Sequence, residues 1–282
     1  MAHAARPRHA PDGATVRLVF VDVDGTLVGS GGHVHPSVWD AADMARAVGL
    51  PVALSTGRPD FGVTSQLARR LNPESWHVFQ NGASIVNPGT GRSLSSPLDR
   101  ELVKGLVDRA RETRRLLELY TDSDYAFECD SELARAHAEL LGVPYRPRPF
   151  ASLVAPVVRA LWVLPASEAA LVAAEDHAGM ALFGSTSPVM PAASFLNLTA
   201  AGVDKASAVR TVAASYGVAM DEVMFVGDSA NDIPPMRAVG IPVAMGNASA
   251  AVHAEGAWSV GNVDDGGLAE ALSWAVEHSS AP

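Results

Sequence analysis

The feature that most restricts the fold is an apolar, β-branched run from Val16 to Val23, centred on Leu18-Val19-Phe20-Val21, which ends abruptly in Asp22-Val23-Asp24-Gly25-Thr26. A short, nearly continuous apolar run reads as a strand buried on both faces, which is the situation inside a parallel sheet. The pattern recurs in PVALSTGRP (51–59), HVFQNGA (77–83), EVMFVGDSAND (222–232) and IPVAMGNA (241–248), each an apolar strand running into a polar, glycine-containing turn. Helical patterns separate them. Pro36 to Val48 repeats Val38, Ala41, Ala42, Ala45 and Val48 at three- and four-residue spacing and stops at Gly49. Asp60 to Leu71, Asp204 to Tyr216, Ile233 to Val239 and Gly267 to His278 complete the set. Strands alternating with helices predict an α/β fold, a doubly wound, Rossmann-like parallel sheet whose ligands bind at the carboxyl ends of its strands.

The middle of the chain has a different rhythm. Ser84 to Ser96 reads as a hairpin turning at Asn87-Pro88-Gly89. Helices are expected over Asp99–Arg115, Ser131–Leu141 and Ser167–His177, with strands in LLELYTDSDYAFEC (116–129) and Arg159–Leu164. The expected organisation is therefore a discontinuous core, 16–82 and 191–282, with an inserted α+β cap at 83–190 and a disordered Ala/Pro-rich tail at 1–15.

A net charge of −10 disfavours nucleic acid and anionic membranes as partners, so an anionic substrate needs a local positive centre. The single cysteine, Cys129, excludes an intrachain disulfide and fits a reducing, cytoplasmic setting. No apolar run is long enough to span a bilayer. Nothing in the sequence speaks to oligomeric state.

Four polar clusters carry chemistry. In Asp22-Val23-Asp24-Gly25-Thr26-Leu27 two carboxylates stand two residues apart, where one can attack phosphorus and bind a hard cation while the other transfers a proton. Ser55-Thr56-Gly57-Arg58 joins a hydroxyl, an accessible amide and a guanidinium, a phosphate-binding combination. Lys205, at the start of a helix, can offset charge between a carboxylate and a phosphoryl group. Gly227-Asp228-Ser229-Ala230-Asn231-Asp232 presents Asp228 and Asp232 four residues apart across a strand-to-helix turn. Taken singly, these read as a turn with a cap, loop material, a solvated surface lysine and a capping turn. Their order, and the placement of three of them directly after buried strands, is what points to one site.

In that order the clusters resemble the four motifs of the haloacid dehalogenase superfamily of phosphohydrolases. QNGA, GVDKASAV, VAMGNA and DDGG extend the similarity to its Cof-type subfamily, which inserts a C2-type α/β cap between the second and third motifs. The resemblance covers most of the core and only the architecture of the cap. It implies a Mg²⁺-dependent phosphatase acting on a small phosphorylated metabolite, a sugar phosphate above all. Asp22 would be the nucleophile, Asp24 the general acid and base with its carbonyl on the metal, and Lys205 the counter-charge. Asp228 would ligate the metal and Asp232 support it. Thr56, Gly57, Arg58, Asn81 and Asn231 would hold the substrate. An acid two residues after the nucleophile favours phosphate esters over halides, because an alkoxide leaving group needs a proton and a halide does not. A phosphomutase, or a non-catalytic phosphate-binding protein on the same fold, are the alternatives. Pro234-Pro235 departs from the family pattern and could shift the helix start and Asp232 with it. In the cap, Arg146, Arg148 and Arg159 are candidates for contact with a polar substrate, but read first as solvated surface positions.

Overall fold

The computed structural model of the chain describes residues 13–187, 189–255 and 258–280; the expected tail lies, up to residue 12, outside them. Along the chain come β1 (Leu18–Val21), α1 (Pro36–Ala47), β2 (Val52–Leu54), α2 (Val63–Leu71), β3 (His77–Phe79), β4 (Ser84–Asn87) and β5 (Arg92–Ser93). Next are α3 (Arg100–Thr113), β6 (Leu116–Tyr120), β7 (Tyr125–Ala126), α4 (Glu132–Leu141), β8 (Arg159–Pro165), α5 (Ala169–Ala173), β9 (Met180–Ser187) and β10 (Met190–Ala200). The chain ends with α6 (Lys205–Tyr216), β11 (Val223–Gly227), α7 (Ile233–Ala238), β12 (Ile241–Ala244), α8 (Ala250–Glu255), β13 (Trp258–Ser259) and α9 (Gly267–Glu277). No described helix is long and apolar enough to cross a membrane.

The described residues form two compact units. One takes the chain up to Arg58, Leu67–Arg92 and the residues from Asp204 on; the other takes Pro59–Gln66 and Ser93–Val203.

The first unit is built on a parallel five-stranded sheet in the order β13-β12-β11-β1-β2. Both faces of β1 are buried, as its unbroken apolar run predicts. Val19 and Val21 join Met224, Val226, Val52 and Leu54 in a core with α1 (Val38, Ala41, Ala42, Ala45) and α9 (Leu268, Ala271, Leu272, Ala275). The alternate residues point the other way, where Phe20 and Phe225 stack at 6.5 Å. Each such side chain contributes roughly 1.5–3 kcal/mol by leaving water, so the register of β1 is firmly set. Because β1 lies between β2 and β11, the chain leaves the sheet on one side and returns on the other. The turns after β1, β2, β11 and β12 consequently meet at one carboxyl edge. β3 is antiparallel to β4 and touches the main sheet through a Ser55–Val78 bridge.

The second unit is an antiparallel sheet in the order β7-β6-β8-β10-β9. One face packs on α3 residues such as Leu106 and Ala110, the other on Ala134 of α4. Its helices are capped: Asp99 accepts from Glu101 N, Ser131 from Ala134 N, and Gly142 is left-handed.

Several elements differ from expectation. α2 begins at Val63 rather than Asp60, because Gly62 is left-handed (φ +59°) and stops a helix from forming upstream. The expected helix Ser167–His177 shrinks to α5, because the chain turns where the Asp176 carboxylate accepts from Ala178 N. β9 and β10 are not among the strands expected from the sequence. Pro191 and small residues dilute the apolar pattern of β10, whose register shifts between Met190 and Phe195. Arg159 is buried, its guanidinium 4.1 Å above the Tyr120 ring and bonded to Asn197 Oδ1 at 3.1 Å. Cys129 is half-buried.

Candidate active site

The carboxyl edge of the first unit's sheet gathers the sequence-predicted residues. Asp22 follows β1 directly and is fixed by its backbone amide, which donates to Val226 O at 3.0 Å. Lys205 is the first residue of α6, whose N-cap Asp204 closes a capping box with Ser207. That helix start is held against the turn after β3, where a Cβ on left-handed Gly82 would lie 2.2 Å from Asp204 O. Lys205 is thereby aimed into the site, and its ammonium donates to Asp22 Oδ1 at 2.6 Å and to Asp232 Oδ1 at 2.7 Å. Both ion pairs are nearly sealed from water, with the Lys205 side chain 1% exposed.

Asp232 is a hub. Its second oxygen accepts from the backbone amides of Asp228 (3.1 Å) and Ser229 (3.0 Å) and from Ser229 Oγ (3.2 Å). The two prolines that follow sit in the first turn of α7, where a missing N–H is no loss, and Asp232 keeps its place. Asp228 accepts from Thr26 Oγ1 at 3.3 Å. A carboxylate oxygen from each of Asp22, Asp228 and Asp232 lies within 4.8 Å of the others.

The electrostatics follow from this crowding. Burial, then the charges of Asp232 and Asp228, push Asp22 up to about 8 against the pull of Lys205. Burial, then Asp232, push Asp228 up to about 6. Burial works to lower Lys205, but the two acids outweigh it and keep the ammonium charged. The raised values of Asp22 and Asp228 show that one ammonium is too little positive charge for three neighbouring acids. An all-oxygen donor set with that shortfall fits a hard divalent cation.

Asp24 is elsewhere. Its carboxylate is paired with Arg58, Nε donating at 2.9 Å, and the Asp24 side chain is 62% exposed. It does not join the three-acid group, because the strand geometry that would align it with Asp22 ends at Val21. Gly25 makes the turn possible: its φ is +81°, and a Cβ there would lie 2.3 Å from Asp228 Oδ2.

The remaining predicted residues flank the cluster. Thr56 Oγ1 accepts from Arg58 N at 3.1 Å, and Gly57 lies so near the Asn81 amide that a Cβ would approach it to 3.1 Å. Gln80 and Asn81 both hold left-handed backbone (φ 53° and 55°), an uncommon state for two successive non-glycine residues. Asn231 donates to Asn81 Oδ1 at 3.4 Å.

Sequence reasoning missed Asn247 and Ser229. Asn247 donates to Gly25 O at 2.7 Å and accepts from Val263 N at 2.9 Å, clamping the turn after β1. It sits in the turn after β12, at the same carboxyl edge as the named clusters, and that placement was the available signal. Ser229 ties Asp232 to Asn231, whose Oδ1 it reaches at 2.6 Å.

Comparison with known proteins gives a consistent result. Residues 19–272 match the model of the haloacid dehalogenase-like hydrolase family. The stress response protein YhaX of Bacillus subtilis is 24% identical, over 90% of this chain and 91% of its own. A phosphoglycolate phosphatase of Methanoculleus marisnigri is 26% identical, over 83% of this chain and 85% of its own. A crystal structure of a haloacid dehalogenase-like hydrolase from Bacteroides thetaiotaomicron shares the fold, with a TM-score of 0.81 at 24% identity, covering 92% of this chain and 99% of that one.

Proposed function

The chain belongs to the haloacid dehalogenase-like hydrolases, and on that premise we propose that it is a Mg²⁺-dependent phosphatase of small phosphorylated metabolites, of the sugar-phosphate class, working through a phosphorylated Asp22. The observation that carries the reading is the Lys205 ammonium seated between Asp22 and Asp232, with Asp228 in reach of both acids.

In this reading an Asp22 oxygen attacks phosphorus and the ester oxygen departs with a proton from Asp24. Water then attacks the aspartyl phosphate, returns a proton to Asp24 and releases inorganic phosphate. Asp22, the Asp24 carbonyl and Asp228 would hold Mg²⁺, and Asp232 would steady those residues through Lys205 and the Asp228 and Ser229 amides. When bound, the metal supplies the positive charge that lets a carboxylate approach a phosphoryl dianion. Lys205 supplies further counter-charge to the phosphoryl oxygens, and Thr56, Gly57, Asn81 and Asn231 position them. Arg58 has two roles, releasing Asp24 as it turns to the substrate's phosphate. A phosphoglycolate phosphatase among the relatives supports a small phosphorylated substrate.

The test compares wild type with Asp22→Asn on an aryl phosphate, with and without Mg²⁺. The expected result is Mg²⁺-dependent phosphate release that the variant loses. Equal rates, or a wild-type rate indifferent to Mg²⁺, refute the proposal.

A further inference from the structure

The turn after β3 touches three of the four polar clusters. Its backbone splints the loop of the second cluster: Asn81 N donates to Thr56 O at 2.9 Å and Gln80 N to Arg58 O at 3.0 Å. Gly82 packs on the carbonyl of Asp204, next to Lys205. The link to the turn carrying Asp228 and Asp232 is different, because it runs through side chains alone. Ser229 Oγ donates to Asn231 Oδ1 at 2.6 Å, and Asn231 Nδ2 donates to Asn81 Oδ1 at 3.4 Å. All of these residues lie in the first unit.

Such a chain transmits direction. A carboxamide has an acceptor on one side and a donor on the other, so fixing one side decides what the other presents. Asn81 engages its oxygen with Asn231, and its Nδ2 donates to no described residue. That amide lies against Gly57, where a Cβ would come within 3.1 Å of both Nδ2 and Oδ1. The Asn81 N–H donors are thereby presented beside the Thr56–Gly57 loop. Run backwards, the same chain would present Asn81 Oδ1 there and repel an anion.

Ser229 selects the direction. Its hydroxyl has one proton and two acceptors within reach, Asn231 Oδ1 at 2.6 Å and Asp232 Oδ2 at 3.2 Å. Asp232 Oδ2 already accepts from the amides of Asp228 and Ser229, so the proton goes to Asn231. With its oxygen engaged, Asn231 turns its NH₂ group to Asn81. The Asn81 backbone is held left-handed, at φ 55°, by its bond to Thr56 O. Only the side-chain torsions of Asn81 remain to be set, and Asn231 sets them.

We propose that Ser229 is a positioning residue: through Asn231 it orients the Asn81 carboxamide so that its N–H donors face the substrate's phosphoryl oxygens. This role rests on the phosphatase reading for the identity of the bound anion.

The test is orthophosphate binding to the full chain with saturating Mg²⁺, by calorimetry, together with KM and kcat for an aryl phosphate. Asn81→Gly removes the carboxamide and keeps a residue that accepts left-handed backbone. It is expected to raise the phosphate Kd about tenfold, as loss of one hydrogen bond to an anion does. Ser229→Ala is expected to raise Kd and KM together, by at least about threefold, and Ser229→Thr, which keeps the hydroxyl, to stay within about twofold of wild type. The double variant Ser229→Ala/Asn81→Gly should bind phosphate no more weakly than Asn81→Gly alone, because both changes remove one contact. The Mg²⁺ concentration for half-maximal activity separates this route from one through Asp232, and Ser229→Ala should leave it in place. Additive losses in the double variant, a phosphate Kd and KM indifferent to Ser229→Ala, or a shifted Mg²⁺ requirement with Kd unchanged overturn the proposal. Turnover without that response sinks the positioning role alone. Phosphate binding that responds as expected without ester turnover sinks the phosphatase reading alone, and a wild type that neither binds phosphate nor turns over the ester sinks both.

Discussion

Replacing Lys205 with Met tests the electrostatic core of the site. Methionine keeps the aliphatic stem and removes the charge. Asp22 Oδ1 and Asp232 Oδ1 then lose donors at 2.6 and 2.7 Å in a place closed to water. Breaking a buried ion pair from one side costs about 3–5 kcal/mol, a large part of the roughly 5–15 kcal/mol that holds a domain folded. The cost depends on pH with a definite sign. Burial and the neighbouring acids already raise Asp22 from 3.8 to about 8, and Lys205 opposes that rise. Without the lysine the folded-state value climbs further. A carboxyl raised in the folded state binds its proton there more readily than in the unfolded chain. Stability is therefore lost as pH rises from 3.8 toward and beyond 8. The assay is urea unfolding in EDTA at acidic and alkaline pH, followed by tryptophan fluorescence. Trp39, Trp76, Trp258 and Trp274 lie in the first unit and report on it. The full penalty is expected at alkaline pH, a much smaller one in acid, and substantial recovery in the double variant Lys205→Met/Asp232→Asn. A penalty below about 1 kcal/mol, or one flat with pH, would refute the assignment of Lys205 as the buried counter-charge.

Three further outcomes are expected. Gly25→Ala places a methyl where Asp228 Oδ2 now sits, at left-handed φ. It should raise the Mg²⁺ concentration for half-maximal phosphate release and cost about 1–3 kcal/mol of stability, read by activity titration and urea unfolding. Asn247→Ala frees the Gly25 carbonyl and should lower kcat about 10–100-fold with the fold intact, as loss of an outer-shell partner does. His77 accepts from Leu54 N and bonds Asn72 O, and burial lowers it from 6.5 to about 4. A histidine held neutral stabilises the fold fully above 6.5 and loses that contribution as pH falls toward about 4, at most roughly 3 kcal/mol. His77→Gln should flatten the slope of unfolding free energy over that window.

Legibility followed the physics of each signal. β1, β2, β11 and β12 could be read because burial on both faces leaves an unbroken apolar run, and α1, α6 and α9 because one face must stay apolar. β10 could not, because Pro191 and the small residues at its register shift interrupt the pattern and leave only the short alternation Leu196-Asn197-Leu198-Thr199. The short α8 and β13 gave no period long enough to detect. In the site, residue types and order were visible and mutual geometry was not. Two-residue spacing aligns Asp24 with Asp22 only where strand geometry continues; it ends at Val21, and the turn at Gly25 swings Asp24 to Arg58.

Lys205 shows why order along the chain carried more than local preference. As the first residue of α6 it places a cation at the positive end of a helix, where the dipole disfavours it by about 0.3–1 kcal/mol. It is also almost wholly buried, and desolvation disfavours the charge again. The Asp204 capping box steadies the helix start but does not reward the ammonium at Lys205. Charges from distant segments must therefore stabilise it, and those at hand are Asp22, 183 residues away, and Asp232, 27 residues away. No window of sequence around Lys205 contains that reason. It becomes visible only when the strand turns are known to converge, and that convergence follows from the sheet order that the buried apolar runs impose.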